Sequence, residues 1–134
     1  YSMRYFNNLY WDKTWNSKWR TVTGFDYGLQ EKNEFSTKLY TWFSPVFIVQ
    51  YSIHPKWQTA FRTEYYQDKE NVIIAANDEF KTLGFSINLD YLPNSKVKFR
   101  TEARYFKNEN DVFEKNSDVV NSNLFLTTSL SFEF

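Results

Sequence analysis

The last twelve residues of the chain, 123–134, alternate between apolar and polar side chains. One parity holds Leu124, Leu126, Thr128, Leu130, Phe132 and Phe134, and the other holds Asn123, Phe125, Thr127, Ser129, Ser131 and Glu133. Successive side chains of a β-strand point to opposite faces, so this segment is predicted to be a strand with one apolar and one mostly polar face. The fold must therefore give the two sides of this strand different surroundings.

The same period of two runs through most of the chain. It predicts five further strands at about 19–29, 37–53, 57–68, 83–91 and 97–106. A weaker pattern at 2–11, which Asn7 interrupts, predicts a first strand, so about seven strands are expected. Pro45 lies inside the third predicted strand and has no N–H to donate, so we expect a bulge or a locally unpaired site there.

Charged residues are confined to one side of the predicted strands two to seven. A charge that faces lipid at mid-depth costs about 2–4 kcal/mol, which explains why an apolar face in contact with lipid would exclude charge. We therefore predict that the polar side chains line the inside of a barrel. The candidate lumen-facing residues are Arg20, Asp26, Arg62, Glu64, Asn88, Asp90, Lys98, Arg100, Glu102, Arg104 and Glu133.

These residues support two interpretations. The inward residues of the fifth strand are short, so the long side chains of its neighbours, Arg62 and Glu64 on one side and Arg100, Glu102 and Arg104 on the other, are expected to meet across it. Such a mixed-charge wall could shape the passage of ions or solutes. Alternatively, it is a lining of salt bridges that only stiffens the barrel.

Composition and loop lengths agree with a membrane barrel. Aromatic residues make up 22% of the 134 residues, yet mean hydropathy is −0.64, a combination natural for aromatic girdles around a wet lumen. No run of 18 apolar residues is present, and a net charge of zero gives no case for nucleic acid binding. Predicted turns at Asn16, Pro55 and Asn94 are tight, whereas the connections after Leu29, Asp68 and Phe106 are longer, as in barrels with short periplasmic turns and long outer loops.

The sequence offers no catalytic constellation. Its one histidine, His54, lies in a predicted tight turn without a partner for acid–base or metal chemistry, so we predict a non-enzyme without cofactor or metal. The acidic loop segments 78–79 and 107–111 lack the glycine that a calcium loop requires. The apolar run 72–76 could fold into the lumen as a constriction, contact a partner protein, or extend a strand above the membrane.

The predicted fold class is therefore all-β: one transmembrane domain, 1–134, built as an antiparallel up-and-down β-barrel. Because seven strands is an odd number and would leave open edges, we expect the chain to be the C-terminal part of a larger barrel. A split first strand would instead give eight strands. Three functions stay open: a porin for small solutes, a plugged barrel that serves as a scaffold subunit, and a soluble β-barrel or sandwich with an apolar, ligand-binding interior.

The end of the chain resembles the C-terminal signature of Gram-negative outer-membrane barrels, in which the last strand carries alternating hydrophobic residues and a terminal Phe. The resemblance implies that Leu126, Leu130, Phe132 and Phe134 form the signal read by the barrel-assembly machinery. It also implies a bacterial outer-membrane location, with the C-terminus in the periplasm and the lipid bilayer against the apolar face. Protein partners would then meet the extracellular loops 69–80 and 107–122.

From about Thr59 onward, a little over half of the chain, the sequence resembles the C-terminal region of the OmpL-like putative β-barrel porin family. The matching features are Phe61-Arg62-Thr63-Glu64-Tyr65-Tyr66, Asp68-Lys69, Ser86-Ile87-Asn88-Leu89-Asp90-Tyr91, Pro93, and Arg100, Glu102 and Arg104-Tyr105-Phe106, followed by the terminal strand. The family's loop after the Asp-Lys pair usually carries a glycine, where this chain has Glu70-Asn71. The resemblance implies a porin-like barrel and transfers no catalytic residues.

Overall fold

In a computed structural model, which describes residues 3–32 and 38–134, the chain forms one large antiparallel sheet and a small hairpin. The strands are β1 (Arg4–Thr14), β2 (Trp19–Glu31), β3 (Leu39–His54), β4 (Trp57–Asp68), β5 (Phe80–Asn94), β6 (Val97–Asn108), β7 (Phe113–Lys115), β8 (Asp118–Val120) and β9 (Ser122–Phe132). The large sheet has seven strands in the order β1-β2-β3-β4-β5-β6-β9, and β7 and β8 pair separately. Within the described ranges, no helix is long and apolar enough to cross a membrane.

The predicted all-β fold and its seven strands are confirmed. β1 is continuous and pairs with β2 from Arg4–Gln30 to Thr14–Arg20, so the split first strand and the eight-stranded count are wrong. The β7–β8 hairpin was not predicted, because strands of three residues are too short for a period of two to show. The predicted strand starts at Ser2 and Thr37, and most of the loop after Leu29, lie outside the described residues.

The strand register carries both faces across the whole sheet. One row joins Phe61, Ile87, Ala103 and Leu126, and the next row joins Arg62, Ser86, Arg104 and Phe125. Each row is one residue away from the other, so apolar side chains share one side of the sheet and polar side chains share the opposite side. We call these sides the apolar face and the polar face.

Burial is the reverse of that in a soluble protein. On β5 the apolar-face residues Leu83, Phe85, Ile87 and Leu89 are between 37% and 57% exposed, whereas the polar-face residues Thr82, Ser86, Asn88 and Asp90 are between 3% and 9% exposed. Among the described residues, Trp42 is the one buried large apolar side chain. The interpretation as a soluble barrel or sandwich with an apolar interior is therefore wrong. Exposed apolar and buried polar side chains are the arrangement of a sheet that curls around a polar interior and meets lipid outside.

Aromatic side chains occur toward both ends of the apolar face, as the sequence predicts. At the end with the short turns, Trp19 packs on Tyr51 with ring centroids 4.5 Å apart, and Trp57 packs on Tyr91 at 4.7 Å. Toward the other end, Tyr65 lies 5.9 Å from Phe43. Aromatic rings at two levels are the girdles of a transmembrane barrel.

Pro45 interrupts one ladder without a bulge. Between β3 and β4 the register is the same at Phe43–Gln67 and at Val46–Glu64, but Ser44 and Pro45 have no paired residue on β4. The predicted unpaired site is confirmed, and the predicted bulge is wrong, because Pro45 still takes its place opposite Phe25 of β2. The missing N–H costs a hydrogen bond but does not require an extra residue.

The exclusion of charge from the apolar face holds within the predicted strand bounds but not beyond them. β5 and β6 extend further toward the long loops, which adds Lys81 and Lys107 at apolar-face positions. Lys81 Nζ lies 2.6 Å from Glu79 and 3.0 Å from Glu109, and Lys107 Nζ donates to Asn121 at 2.6 Å. Near the membrane surface a charge costs only about 0–1 kcal/mol, so these positions do not conflict with a membrane-facing sheet.

Candidate functional site

The predicted lumen-facing residues lie along the polar face, and the sheet brings most of them together. Arg62, Glu64, Asn88, Asp90, Arg100, Glu102 and Arg104 occupy neighbouring positions on β4, β5 and β6. Arg20 lies on β2, where it forms two hydrogen bonds, of 2.9 and 2.5 Å, with the Asp12 carboxylate. Three predicted residues stand apart: Asp26 accepts from Asn8, Lys98 pairs with Ser131 in the ladder, and Glu133 follows the end of β9 beside the turn at Lys96.

Asp90 is the most enclosed charge of this group. Arg100 Nε and Nη2 each donate to its carboxylate at 2.7 Å, and Asn88 Nδ2 donates at 2.8 Å. The Asp90 side chain is only 4% exposed, whereas the Arg100 side chain is 40% exposed. A bidentate charge-assisted pair is a strong way to hold a carboxylate out of water, so Asp90 anchors Arg100 on the polar face.

The predicted contact across the fifth strand is present. Glu64 of β4 pairs with Arg62 on its own strand, and its other oxygen lies 3.4 Å from Arg104 Nη2 of β6. Gly84 lies between them on β5, where a Cβ would come within 2.9 Å of Glu64 Cγ and 2.7 Å of the Phe106 ring. Because Gly84 has no side chain, the side chains of Glu64 and Phe106 can pack across β5 at this position.

Four guanidinium groups surround one cavity on the polar face, which we call the arginine cavity. It has a volume of about 260 Å³, and its charged lining residues are Arg20, Arg62, Arg100, Arg104 and Glu102. Gln50, Ser86 and Asn88 add polar groups to the wall. The arginine cavity therefore offers many hydrogen-bond donors around a small volume.

Next to the arginine cavity, toward the long loops, the polar face becomes aromatic. Phe106 lies 6.3 Å from Phe113 and 6.0 Å from Phe125, and Phe80 lies 5.9 Å from Tyr66 and 6.3 Å from Phe113. We call these five rings the aromatic cluster. Four of them, all but Phe125, line a second cavity of about 280 Å³, whose wall also includes Ile74 and Arg104.

Ile74 belongs to the apolar run 72–76, for which the sequence leaves open folding into the lumen, contact with a partner protein, or extension of a strand. In the structure it lines the second cavity together with Tyr66 of the polar face. Ile74 of the run is thus turned toward the polar face, as the predicted constriction requires, and contact of the run with a partner protein stays a prediction. The run forms no strand extension, since the chain between Asp68 and Phe80 contains none.

Two fully buried polar side chains, Asp68 and Asn108, hold the long loops in place, a role that the sequence analysis assigns to neither. The Asp68 carboxylate accepts from the backbone N–H groups of Val72, Ile73 and Ile74 at 2.9, 2.7 and 3.0 Å. Asn108 Oδ1 accepts from Lys81 N at 2.7 Å and from Thr82 Oγ1 at 2.8 Å. The signal that could have indicated them is a short polar residue at the last position of a strand before a long loop.

Removal of the Asp68 carboxylate should release the loop. We expect Asp68→Ala to speed amide hydrogen exchange at Val72, Ile73 and Ile74 by about tenfold or more, because hydrogen bonds to a charged group each contribute about 1.5–3 kcal/mol. Asp78→Ala is the matched control, since within residues 3–32 and 38–134 Asp78 accepts only from the next backbone N–H, that of Glu79. Equal exchange rates in the Asp68 variant and the control would show that the carboxylate does not hold the loop.

The four residues of the predicted assembly signal lie at the edge of the sheet. Leu126, Leu130 and Phe132 are exposed on the apolar face of β9, and Phe134 follows the strand and is fully exposed. β9 pairs with β6 on one side, and its other edge is unpaired within the described sheet. The apolar side chains and one backbone edge of β9 are therefore both uncovered within the described sheet.

The described residues show no arrangement for metal binding. No group of three or more His, Cys, Asp or Glu side chains comes close enough within these ranges to hold a metal ion. His54 ends β3, and its Nδ1 accepts from Lys56 N at 3.4 Å within the turn.

The chain is similar to a known protein family along its whole length. The family model described as putative beta-barrel porin-2, OmpL-like, matches residues 1–134, so the similarity extends over β1 to β3 as well as over the segment after Thr59. Neither the curated proteins nor the solved structures gave a match. Because the family model matches along the whole sequence, the chain belongs to the OmpL-like beta-barrel porin family and is a porin-like barrel protein of the bacterial outer membrane.

Proposed function

We propose that the polar face lines an aqueous passage through the outer membrane and that small solutes diffuse passively along it. The apolar face meets the lipid, and the mixed charges of the polar face form the wall of the passage. The protein acts without catalysis, cofactor or metal.

The observation that carries this proposal is the reversed burial on the two faces of the sheet. Apolar side chains of β5 are exposed while Ser86, Asn88 and Asp90 are buried, which is stable only if lipid covers the first set and the second set faces a polar interior. The ion pairs of Arg100 with Asp90 and of Arg104 with Glu64 line that interior. Charged groups of both signs along a pore set ion preference as well as rigidity.

A second candidate function is a non-conducting barrel that serves as a structural subunit of an envelope complex. The position of Ile74 and the aromatic cluster favour it, because both place apolar side chains on the polar face beside the arginine cavity, where they would hinder an aqueous passage. The loops 69–80 and 107–122 would then bind partner proteins.

The open edges of the sheet and the position of the C-terminal strand bear on how the proposed barrel is completed and oriented. Unpaired backbone groups are costly in lipid, so we propose that further strands pair with β1 and β9 and complete a larger barrel, of which this chain is one part. Phe132 pairs with Val97, next to the short turn after Asn94. We propose that the short turns lie in the periplasm, as is usual for such barrels, and the C-terminus would then lie there too. Leu126, Leu130, Phe132 and Phe134 would present the signal for the barrel-assembly machinery.

Single-channel recording in planar bilayers tests the proposed function. We expect the full-length protein to give stable openings with ohmic current in potassium chloride. A correctly folded protein that never conducts would refute the diffusion pathway and support the scaffold function, whose partners could then be sought at the loops.

A further inference from the structure

We propose that the polar face binds small carboxylates that carry an apolar or aromatic group, and that the passage favours them over small hydrophilic anions and over organic cations. This inference rests on the proposed function and names the class of solute that it serves. The carboxylate would meet the arginine cavity, and the apolar group would meet the aromatic cluster.

The charges that face the arginine cavity are mostly positive. Its lining holds four guanidinium groups and one carboxylate, that of Glu102. The formal charges cancel once the neighbouring Asp12, Glu64 and Asp90 are counted, so any preference for anions depends on which charges a solute meets first. The Arg100 side chain is 40% exposed above an Asp90 that is 4% exposed, and Arg62 is 36% exposed beside a Glu64 that is 16% exposed. In these two pairs the carboxylate therefore lies behind the guanidinium group, whereas Asp12 and Glu102 are about as exposed as their partners Arg20 and Arg104.

The arginines retain donors for a solute. Among the described residues, Arg62 Nε and Arg104 Nε are buried without a hydrogen-bond acceptor, and Arg104 Nε lies 3.6 Å from a Glu102 carboxylate oxygen. The Arg62 side chain as a whole is 36% exposed and lines the arginine cavity. Guanidinium groups carry five N–H donors in a planar fork that matches the two oxygens of a carboxylate. An oxyanion in the arginine cavity could accept from the exposed N–H groups of Arg62 without breaking the Arg100–Asp90 pair.

An apolar surface lies directly beside these donors. Arg104 lines both cavities, and its guanidinium carbon lies 5.5 Å from the Phe106 ring centroid. Phe80, Phe113 and Ile74 continue the apolar wall from there. A solute with a carboxylate at one end and a ring or short alkyl group at the other can bury its apolar part against the aromatic cluster while its charge meets Arg104 and Arg62.

Current block with three matched probes tests this specificity in the full-length protein. We expect benzoate to reduce potassium chloride current at a concentration at least about tenfold lower than acetate, which lacks the ring, and than benzylammonium, whose charge is reversed. Equal block by the three probes in a conducting channel would overturn the inference and leave the proposed function intact.

Two variants separate the two parts of the site. Arg62→Gln should raise the half-blocking concentration of benzoate about tenfold, whereas Lys56→Gln, which removes one positive charge in an exposed turn, should not change it. Phe113→Ala should weaken block by benzoate but not by acetate, and Val119→Ala is its control on the same hairpin. Heat-modifiable mobility on gels would verify that each variant folds.

Calorimetry with the refolded protein in detergent measures benzoate binding directly and so tests the binding site independently of conduction. Benzoate binding that Arg62→Gln weakens would support the binding site even if no current were seen, and the proposed function alone would then fail. No benzoate binding to the folded protein would overturn the inference whether or not the channel conducts.

Discussion

Leu126→Arg is expected to prevent most of the full-length protein from inserting into lipid vesicles, whereas Thr127→Arg should insert normally. Leu126 is 74% exposed on the apolar face near the middle of β9, where an arginine facing lipid costs about 2–4 kcal/mol. That cost lowers the folding equilibrium about 30-fold or more, at about 1.4 kcal/mol per factor of ten. Thr127 pairs with Glu102 on the polar face, so an arginine there would meet an opposite charge.

The comparison uses neighbouring residues of one strand, so both variants add the same side chain at nearly the same depth. Refolding into vesicles without the assembly machinery removes any effect on recognition of the C-terminal strand. The folded fraction can be read from heat-modifiable mobility or from tryptophan fluorescence. Equal damage by the two substitutions would contradict the assignment of the faces.

Arg100→Met is expected to be the most destabilising change on the polar face. It leaves the Asp90 carboxylate buried with only Asn88 as a side-chain donor, and loss of one partner of a buried ion pair costs about 3–5 kcal/mol. We expect the lower end of this range, about 3 kcal/mol, because the Arg100 side chain is partly exposed. Urea unfolding of the protein in lipid vesicles measures the change in the free energy of unfolding.

Two further variants isolate the cause. Arg20→Met removes the same kind of pair at a site where both partners are about half exposed, and should cost only about 0–1 kcal/mol. Adding Asp90→Asn to Arg100→Met should recover most of the lost stability, because it removes the unpaired charge. A single Arg100 variant as stable as the Arg20 variant would mean that Asp90 is not held by this pair.

Strands and faces could be predicted because a period of two is visible wherever a strand is long and has different surroundings on its two sides. The contact of Glu64 with Arg104 could also be predicted, since it needs only short residues on the strand between them. β1 was the weakest of the predicted strands, because Asn7 interrupts its apolar side. β1 is nevertheless a regular strand, because its backbone pairs with β2 at every position from Arg4 to Thr14.

The aromatic cluster and the loop contacts beside it could not be predicted, because they depend on tertiary contacts of the long loops. Nothing in the alternation shows that Asp68 caps three backbone N–H groups or that Ile74 turns toward the polar face. The aromatic cluster joins β4, β5, β6, β7 and β9, and β7 is too short to leave a pattern. The position of Gly84 matters only because Phe106 and Glu64 lean over it, which the sequence alone does not reveal.

The water accessibility of β9, residue by residue, tests the central claim most directly. Residues 1–134 contain no cysteine. Single cysteines can therefore be placed at successive positions 124–129 of a full-length protein whose cysteines outside this chain have been replaced by serine, and treated in lipid vesicles with a water-soluble maleimide. We expect labelling at Phe125→Cys, Thr127→Cys and Ser129→Cys, and little labelling at Leu124→Cys, Leu126→Cys and Thr128→Cys. Uniform labelling, or labelling with the opposite phase, would contradict a polar face that lines a water-filled interior.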